Sequence, residues 1–181
     1  MKRICIFCGS SSKVAPVYND AAAAMASEIA LKDIGVVYGG ASVGTMAVVA
    51  NAALEAKGEV VGVIPSSMKE REIAHTGLTE LHVVESMHDR KALMVSLSDG
   101  FIALPGGMGT LDELFETWTW RQLGIHNKPI GMLNVNGYFD GLLAYLDSTV
   151  EAGYVKRPDR EMLIVDHNAG RLLQRLVDAQ A

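Results

Sequence analysis

The chain is poor in cysteine: among 181 residues only Cys5 and Cys8 are present. Two thiols cannot staple a small disulfide scaffold, and a chain of this length can bury a sizeable core without staples. There is no second C-x-x-C pair, and the five histidines show no ligand spacing, so no metal site is expected. "CIFC" lies inside an apolar stretch. Its odd spacing sends the two side chains to opposite faces of a strand, as buried structural thiols. A basic stripe is also missing. Sixteen Lys and Arg are interleaved with 21 Asp and Glu, for a formal charge of −5. That excludes the footprint of a nucleic-acid binder. The N-terminal apolar run, Ile4–Cys8, is too short for a signal peptide. One long stretch, Ile34–Leu54, has no charged residue. It holds Gly35, Gly39, Gly40, Gly44, Ser42, Thr45 and Asn51, and reads as strand, glycine loop and buried helix rather than a membrane span. A cytoplasmic protein is expected. Repeats, low-complexity tracts and linkers are absent, which points to one domain over residues 1–181. Hydrophobic residues make up 49% of the chain, which leaves room for an apolar self-association face.

What is present is alternation. Strands are expected at Lys2–Cys8, Val36–Tyr38, Glu59–Pro65, Glu80–Glu85, Phe101–Pro105, Lys128–Asn134 and the "EMLIVD" segment. Helices are expected at Val17–Asp33, Thr45–Lys57, Ser86–Ser98, Thr110–Leu123, Tyr138–Gly153 and Gly170–Ala181, with one helical turn inside the polar connection 66–79. Short Val/Ile-rich strands alternating with helices predict an α/β fold, a Rossmann-like doubly wound parallel sheet covered on both faces. Strand order should reverse between the first strand and Phe101–Pro105. The loops "GSSS", "GGASVG" and "PGGMGT" would then meet around one pocket at the carboxyl ends of the strands.

Those loops fit no triphosphate or dinucleotide template. "GGASVGT" has P-loop glycine spacing, but Thr45 stands where the lysine belongs. In G-x-G-x-x-G counted from Gly107, Asp112 replaces the third glycine. What remains is a glycine-rich helix start suited to one phosphate, or simply a tight turn. Thr110-x-x-Glu113 reads as a capping box, which gives Glu113 a structural alternative, and Glu116 one turn on is its rival for chemistry. Ser86-x-x-Asp89 is a second capping box. Arg90, Leu93, Met94 and Leu97 share helical spacing, so Arg90 sits on an apolar stripe. It needs an anion partner there, or a route for its stem to snorkel to water.

"PGGMGTLDE" and "MHDRK" resemble the P-G-G-x-G-T-x-x-E and M-H-x-R-K elements of the LONELY GUY family. These are cytokinin riboside 5′-monophosphate phosphoribohydrolases, often mislabelled lysine decarboxylases. The likeness extends through "CIFCGSS", "YGGASVGTM", "VVGVIP", "TWRQLGIHNKPIGMLN" and "GYFDGLL", with Ala41 where many relatives carry a third glycine. The resemblance implies Arg90 and Glu113 as the catalytic pair. It implies substrate contacts at Glu72, Lys91 and Thr119, and in the phosphate segment Gly106, Gly107, Met108, Gly109, Thr110, Leu111 and Asp112. It also implies a homodimer, a small-molecule nucleoside 5′-monophosphate as substrate, no cofactor, and neither nucleic acid nor membrane as partner.

The reaction so implied is hydrolysis of the N-glycosidic bond of a purine, in particular N6-substituted adenine, nucleotide. A carboxylate beside C1′ would stabilise an oxocarbenium-like transition state. Arg90 would either orient Glu113 or bind the phosphate. Three other activities fit parts of the pattern. A pyridoxal phosphate decarboxylase needs a Schiff-base lysine, for which Lys91 is the one neighbour. A non-catalytic nucleotide-binding module has no use for the added carboxylate. A general AMP nucleosidase would differ only in the base pocket, where Met87 is a candidate by position.

Overall fold

A computed structural model describes residues 1–69 and 74–180. Seven strands form one sheet: β1 Arg3–Phe7, β2 Gly35–Tyr38, β3 Val60–Pro65, β4 Glu80–Val84, β5 Gly100–Ala103, β6 Ile130–Leu133 and β7 Leu163–Asp166. Their order is β4-β3-β2-β1-β5-β6-β7 and every pair is parallel. Beyond its first residue, β1 is buried on both faces, as are β2, β3, β5 and β6 throughout. This is why they read as runs of Val, Ile and Ala rather than as alternation. The chain winds outward from β1 through β2 and β3, then returns to place β5 on the other side of β1. The expected reversal therefore falls between β1 and β5, at "FIALP".

The pleat of β1 divides two cores. Ile4, Ile6 and Cys8 face a cluster closed by α1 (Pro16–Ala30), α2 (Gly44–Glu55) and α8 (Ala169–Gln180). Cys5 and Phe7 face the opposite cluster, closed by α4 (Met87–Ser96), α5 (Met108–Gln122) and α6 (Asp140–Glu151). The two cysteines are buried, free and on opposite faces, as their spacing required. Ala22, Ala26, Ala50 and Ala53 keep α1 and α2 thin where they pack together. The uncharged stretch 34–54 is β2, the glycine loop and most of α2. No described helix is long and apolar enough to cross a membrane.

Element ends differ from expectation by one to three residues, mostly as trimmed termini. The turn expected in 66–79 is α3, Ser66–Lys69. Two short pieces carried no periodic signal: α7, Arg157–Glu161, and a 3-10 turn at Val135–Gly137. One shift matters for function. Helix α5 begins at Met108 with Gly107 as its N-cap, two residues earlier than read from the sequence, and no side chain caps it. Thr110 is thus inside the first turn, and the Thr110–Glu113 capping box does not form. Ser86 does cap its helix: Ser86 Oγ accepts from Asp89 N at 3.0 Å and donates to Asp89 Oδ2 at 2.7 Å.

Candidate active site at the switch point

A cavity of about 350 Å³ opens at the carboxyl ends of β1 and β5. Two faces of it differ in chemistry. One is the start of α5, with Gly107, Met108, Gly109 and Thr110 on the wall beside Ser10 and Ser11 of the β1–α1 loop. The first N–H groups of any helix lack partners within the helix, and with Gly107 at the cap no side chain covers them. They form a ready anion site. Thr110 lies just behind it: the residue is 3% exposed, and its Oγ1, packed against Gly106, has no hydrogen-bond partner. A side chain at Gly106 would collide with Thr110 Oγ1, so the glycine there keeps the hydroxyl in place.

The other face is an ion pair. Glu113 lies on the second turn of α5 and Arg90 on the first turn of α4, and both are buried, at 7% and 8% exposure. Arg90 Nη1 donates to Glu113 Oε1 at 2.9 Å, and Arg90 Nε donates to the carbonyl of Val63 at 3.0 Å. Gly39 makes the space: any Cβ there would strike Arg90 Nη2 and the sulfur of Met46. Of the two options its apolar position left open, Arg90 takes the anion partner, and its guanidinium orients Glu113. Burial pushes the Glu113 carboxyl up to about 7, and the neighbouring Asp112 charge pushes the same way. Arg90 opposes them, and Lys91 pulls weakly against them too. The acid is therefore poised near neutrality, where a modest change of environment switches its charge. Met46, Met68 and Met87 complete the lining with soft apolar surface.

Several residues implied by resemblance stand elsewhere. Lys91 is next to Arg90 in sequence but about 100° round the helix. Its ammonium lies 3.1 Å from both Asp112 Oδ2 and Glu116 Oε2, on the far side of the α4–α5 seam and outside the cavity lining. That pairing occupies Glu116, the rival carboxylate. Asp112 and Thr119 are exposed, and Leu111 packs on the α5 core. Gly106 borders a neighbouring cavity rather than this one. Glu72 lies outside the described residues. Of the three small-residue loops, "GSSS" and "PGGMGT" line the cavity. "GGASVG" backs it through Gly39. No group of His, Cys, Asp and Glu suited to a metal ion occurs among the described residues. Cys8, Met46 and Met68 were not anticipated. Cys8 and Met46 flank the loops expected at the pocket, but as apolar residues they carried no functional signal, and Met68 reaches the crevice only through the fold.

An uncapped helix start facing a buried carboxylate, at the switch point of a parallel sheet, defines a Rossmann-like α/β protein with its ligand crevice between β1 and β5. Solved structures of that shape include a molybdenum cofactor binding protein from Rippkaea orientalis, with a TM-score of 0.74 at 21% identity over 100% of this chain and 99% of that one. The molybdenum cofactor carrier protein of Chlamydomonas reinhardtii gives 0.74 at 18% identity over 98% and 97%. At those identities the likeness concerns the fold alone. A family model described as "Possible lysine decarboxylase" matches residues 46–176. The chain is 47% identical to the Arabidopsis thaliana cytokinin riboside 5′-monophosphate phosphoribohydrolase LOG5, covering 97% of this chain and 77% of that protein. It is 45% identical to LOG1 of the same plant, covering 98% and 83%. The chain belongs to this family, the LONELY GUY family that its motifs resemble.

Proposed function

We propose that this protein hydrolyses the N-glycosidic bond of N6-substituted adenine nucleoside 5′-monophosphates, releasing the free base and ribose 5-phosphate. The observation that carries this reading is the two-sided cavity. An anion cradle at the start of α5 faces a buried carboxylate whose charge is set near neutral pH. A substrate anionic at its phosphate and cationic at C1′ in the transition state matches that polarity. The relatives named above carry the same activity in their names.

In this reading the phosphate seats on the N–H groups of Gly107–Thr110. That anchors the ribose so that Glu113 need not search for C1′. Arg90 keeps Glu113 in one orientation and favours its ionised form. As the bond from C1′ to the base breaks, the Glu113 carboxylate stabilises the charge growing on the sugar and takes a proton from the attacking water. Hydroxide ends on C1′ and the proton on the departing base. The methionine wall is adaptable apolar surface suited to a purine with an apolar N6 substituent. Incubation with AMP and with N6-isopentenyladenosine 5′-monophosphate tests the reading. Free base should appear from both, faster from the second. No release from either would leave a nucleotide-binding module.

The decarboxylase alternative lacks its key group. No lysine lines the cavity among the described residues, and the Lys91 ammonium is held by two carboxylates. The working protein in this account is a cytoplasmic single-domain homodimer. The apolar side chains left on its surface, Leu123 and Ile125 after α5 among them, support self-association.

A further inference from the structure

The geometry points to Tyr138 as a positioning residue: its hydroxyl pins the Gly106–Gly107 peptide so that the Gly107 N–H is aimed into the cavity at the substrate phosphate. This rests on the phosphate seat of the proposed function and adds a residue from the opposite side of the sheet.

The chain goes to some length to deliver this ring. After β6, the 3-10 turn places Asn136 and Gly137 in the left-handed region, at φ of 50° and 71°. A non-glycine residue is uncommon there, and Asn tolerates it better than most. The Asn134 side chain holds the turn from both ends, accepting from Phe139 N at 2.8 Å and donating to Asp140 Oδ1 at 2.7 Å. The Tyr138 ring then sits edge-on between Tyr18 of α1, at 5.3 Å, and Phe139, at 4.9 Å. From that position its hydroxyl donates to the carbonyl oxygen of Gly106 at 2.9 Å.

The consequence follows from the planar trans peptide. Carbonyl and N–H of one peptide unit point in opposite directions. Tyr138 and Gly106 line a second cavity, on the α1 side of the glycine loop, whereas Gly107 borders both cavities. With the Gly106 carbonyl held towards Tyr138, the N–H of Gly107 points away from it, into the site. The bond also polarises the peptide, which strengthens that N–H as a donor. Glycine backbone is intrinsically the most permissive, so the Tyr138 bond adds to the restraint that the α5 cap and the packing of Thr110 against Gly106 place on this plane.

Tyr138→Phe tests this because it removes one hydroxyl and keeps the ring. The Kd for ribose 5-phosphate, read by calorimetry, should rise about five- to tenfold, the worth of one well-placed hydrogen bond. The KM for AMP should rise by the same factor, while kcat and the KM for adenosine, which has no phosphate, change by less than about twofold. In the unmodified protein, inorganic phosphate should shift the Gly107 amide proton resonance. An unchanged Kd, an equal rise in KM for adenosine, or a Gly107 amide that phosphate does not move would each overturn the inference. If the protein turned over no nucleotide, the proposed function would fall, and the ribose 5-phosphate titration would still decide the role of Tyr138.

Discussion

Two carboxylates at the carboxyl edge of the sheet, Glu113 and Asp166, are almost equally hidden, at 7% and 8% exposure, and each is paired with arginine. Their charges behave in opposite ways. Asp166 ends β7 and accepts from Arg171 through both oxygens, from Arg175 and from the N–H of Asn168. Those bonds, led by Arg171, hold it far below the usual carboxylate range. Its arginines stand largely in water, so the desolvation they suffer is small. Glu113 has one arginine, itself buried, and burial outweighs it, leaving the acid at about 7. Asp166 is fully satisfied and ties the end of β7 to α8. Glu113 has a single buried arginine and lines a cavity, the arrangement expected of a group that acts on a ligand.

The largest contrast should come from removing the arginines. Arg90→Met leaves Glu113 buried and unpaired. Turnover should fall at least about a thousandfold by loss of an oriented carboxylate. Stability at pH 8 should drop by about 3–5 kcal/mol, the cost of orphaning a buried charge. At pH 5.5 the loss should shrink, because the stranded acid protonates. Denaturant melts at the two pH values check this.

Next in size is pH. Because the Glu113 pKa is raised from 4.5 to about 7, the folded protein binds a proton there that the unfolded chain releases. Its contribution to stability is complete below about 4.5 and is lost as pH rises through about 7. Activity runs the other way, since the ionised form is required. The rate should fall about tenfold per pH unit below an apparent pKa near 7. A rate profile rising towards acid would assign Glu113 the role of proton donor instead. Asp166 has the opposite sign. Its stabilisation is present above the usual aspartate range and disappears only as pH falls through its depressed pKa.

The smallest effect belongs to Asp166→Asn. It should cost about 1–2 kcal/mol of stability, because its partners are solvated and the pair is partly screened. Turnover should stay within about twofold, since Asp166 is not among the cavity-lining residues and the substitution leaves its backbone bond to Asn134 in place. A kinetic defect in this variant comparable to that of Arg90→Met would erase the distinction between the two carboxylates.

How much of this was legible in the chain differs by residue. The alternation of strands and helices was readable, because apolar runs and glycine stops set them locally. Arg90 could be seen to need an anion or a snorkelling route, since its spacing put it among Leu93 and Met94. Which anion it takes is decided by α4 and α5 lying side by side, and no local spacing encodes that. The reading of Thr110 as a cap failed for a related reason. Gly107 can cap a helix without a side-chain bond, so the helix starts early and the best capping residue is drawn inside it. Where Lys91 points was not legible, because neighbours in a helix diverge by about 100° and its carboxylate partners lie on another helix. Tyr138 was invisible as a functional residue, because its role depends on a left-handed turn at Asn136 and on a carbonyl 32 residues away.

Glu113→Gln, compared with the unmodified protein on N6-isopentenyladenosine 5′-monophosphate, is the most direct test of the central claim. Glutamine keeps the shape and accepts from Arg90, but it cannot carry the negative charge. The account predicts a variant that folds, binds ribose 5-phosphate with unchanged affinity, and releases base at least about a thousandfold more slowly. A variant that turned over at near the unmodified rate would contradict it, and would reduce Glu113 to a structural partner of Arg90.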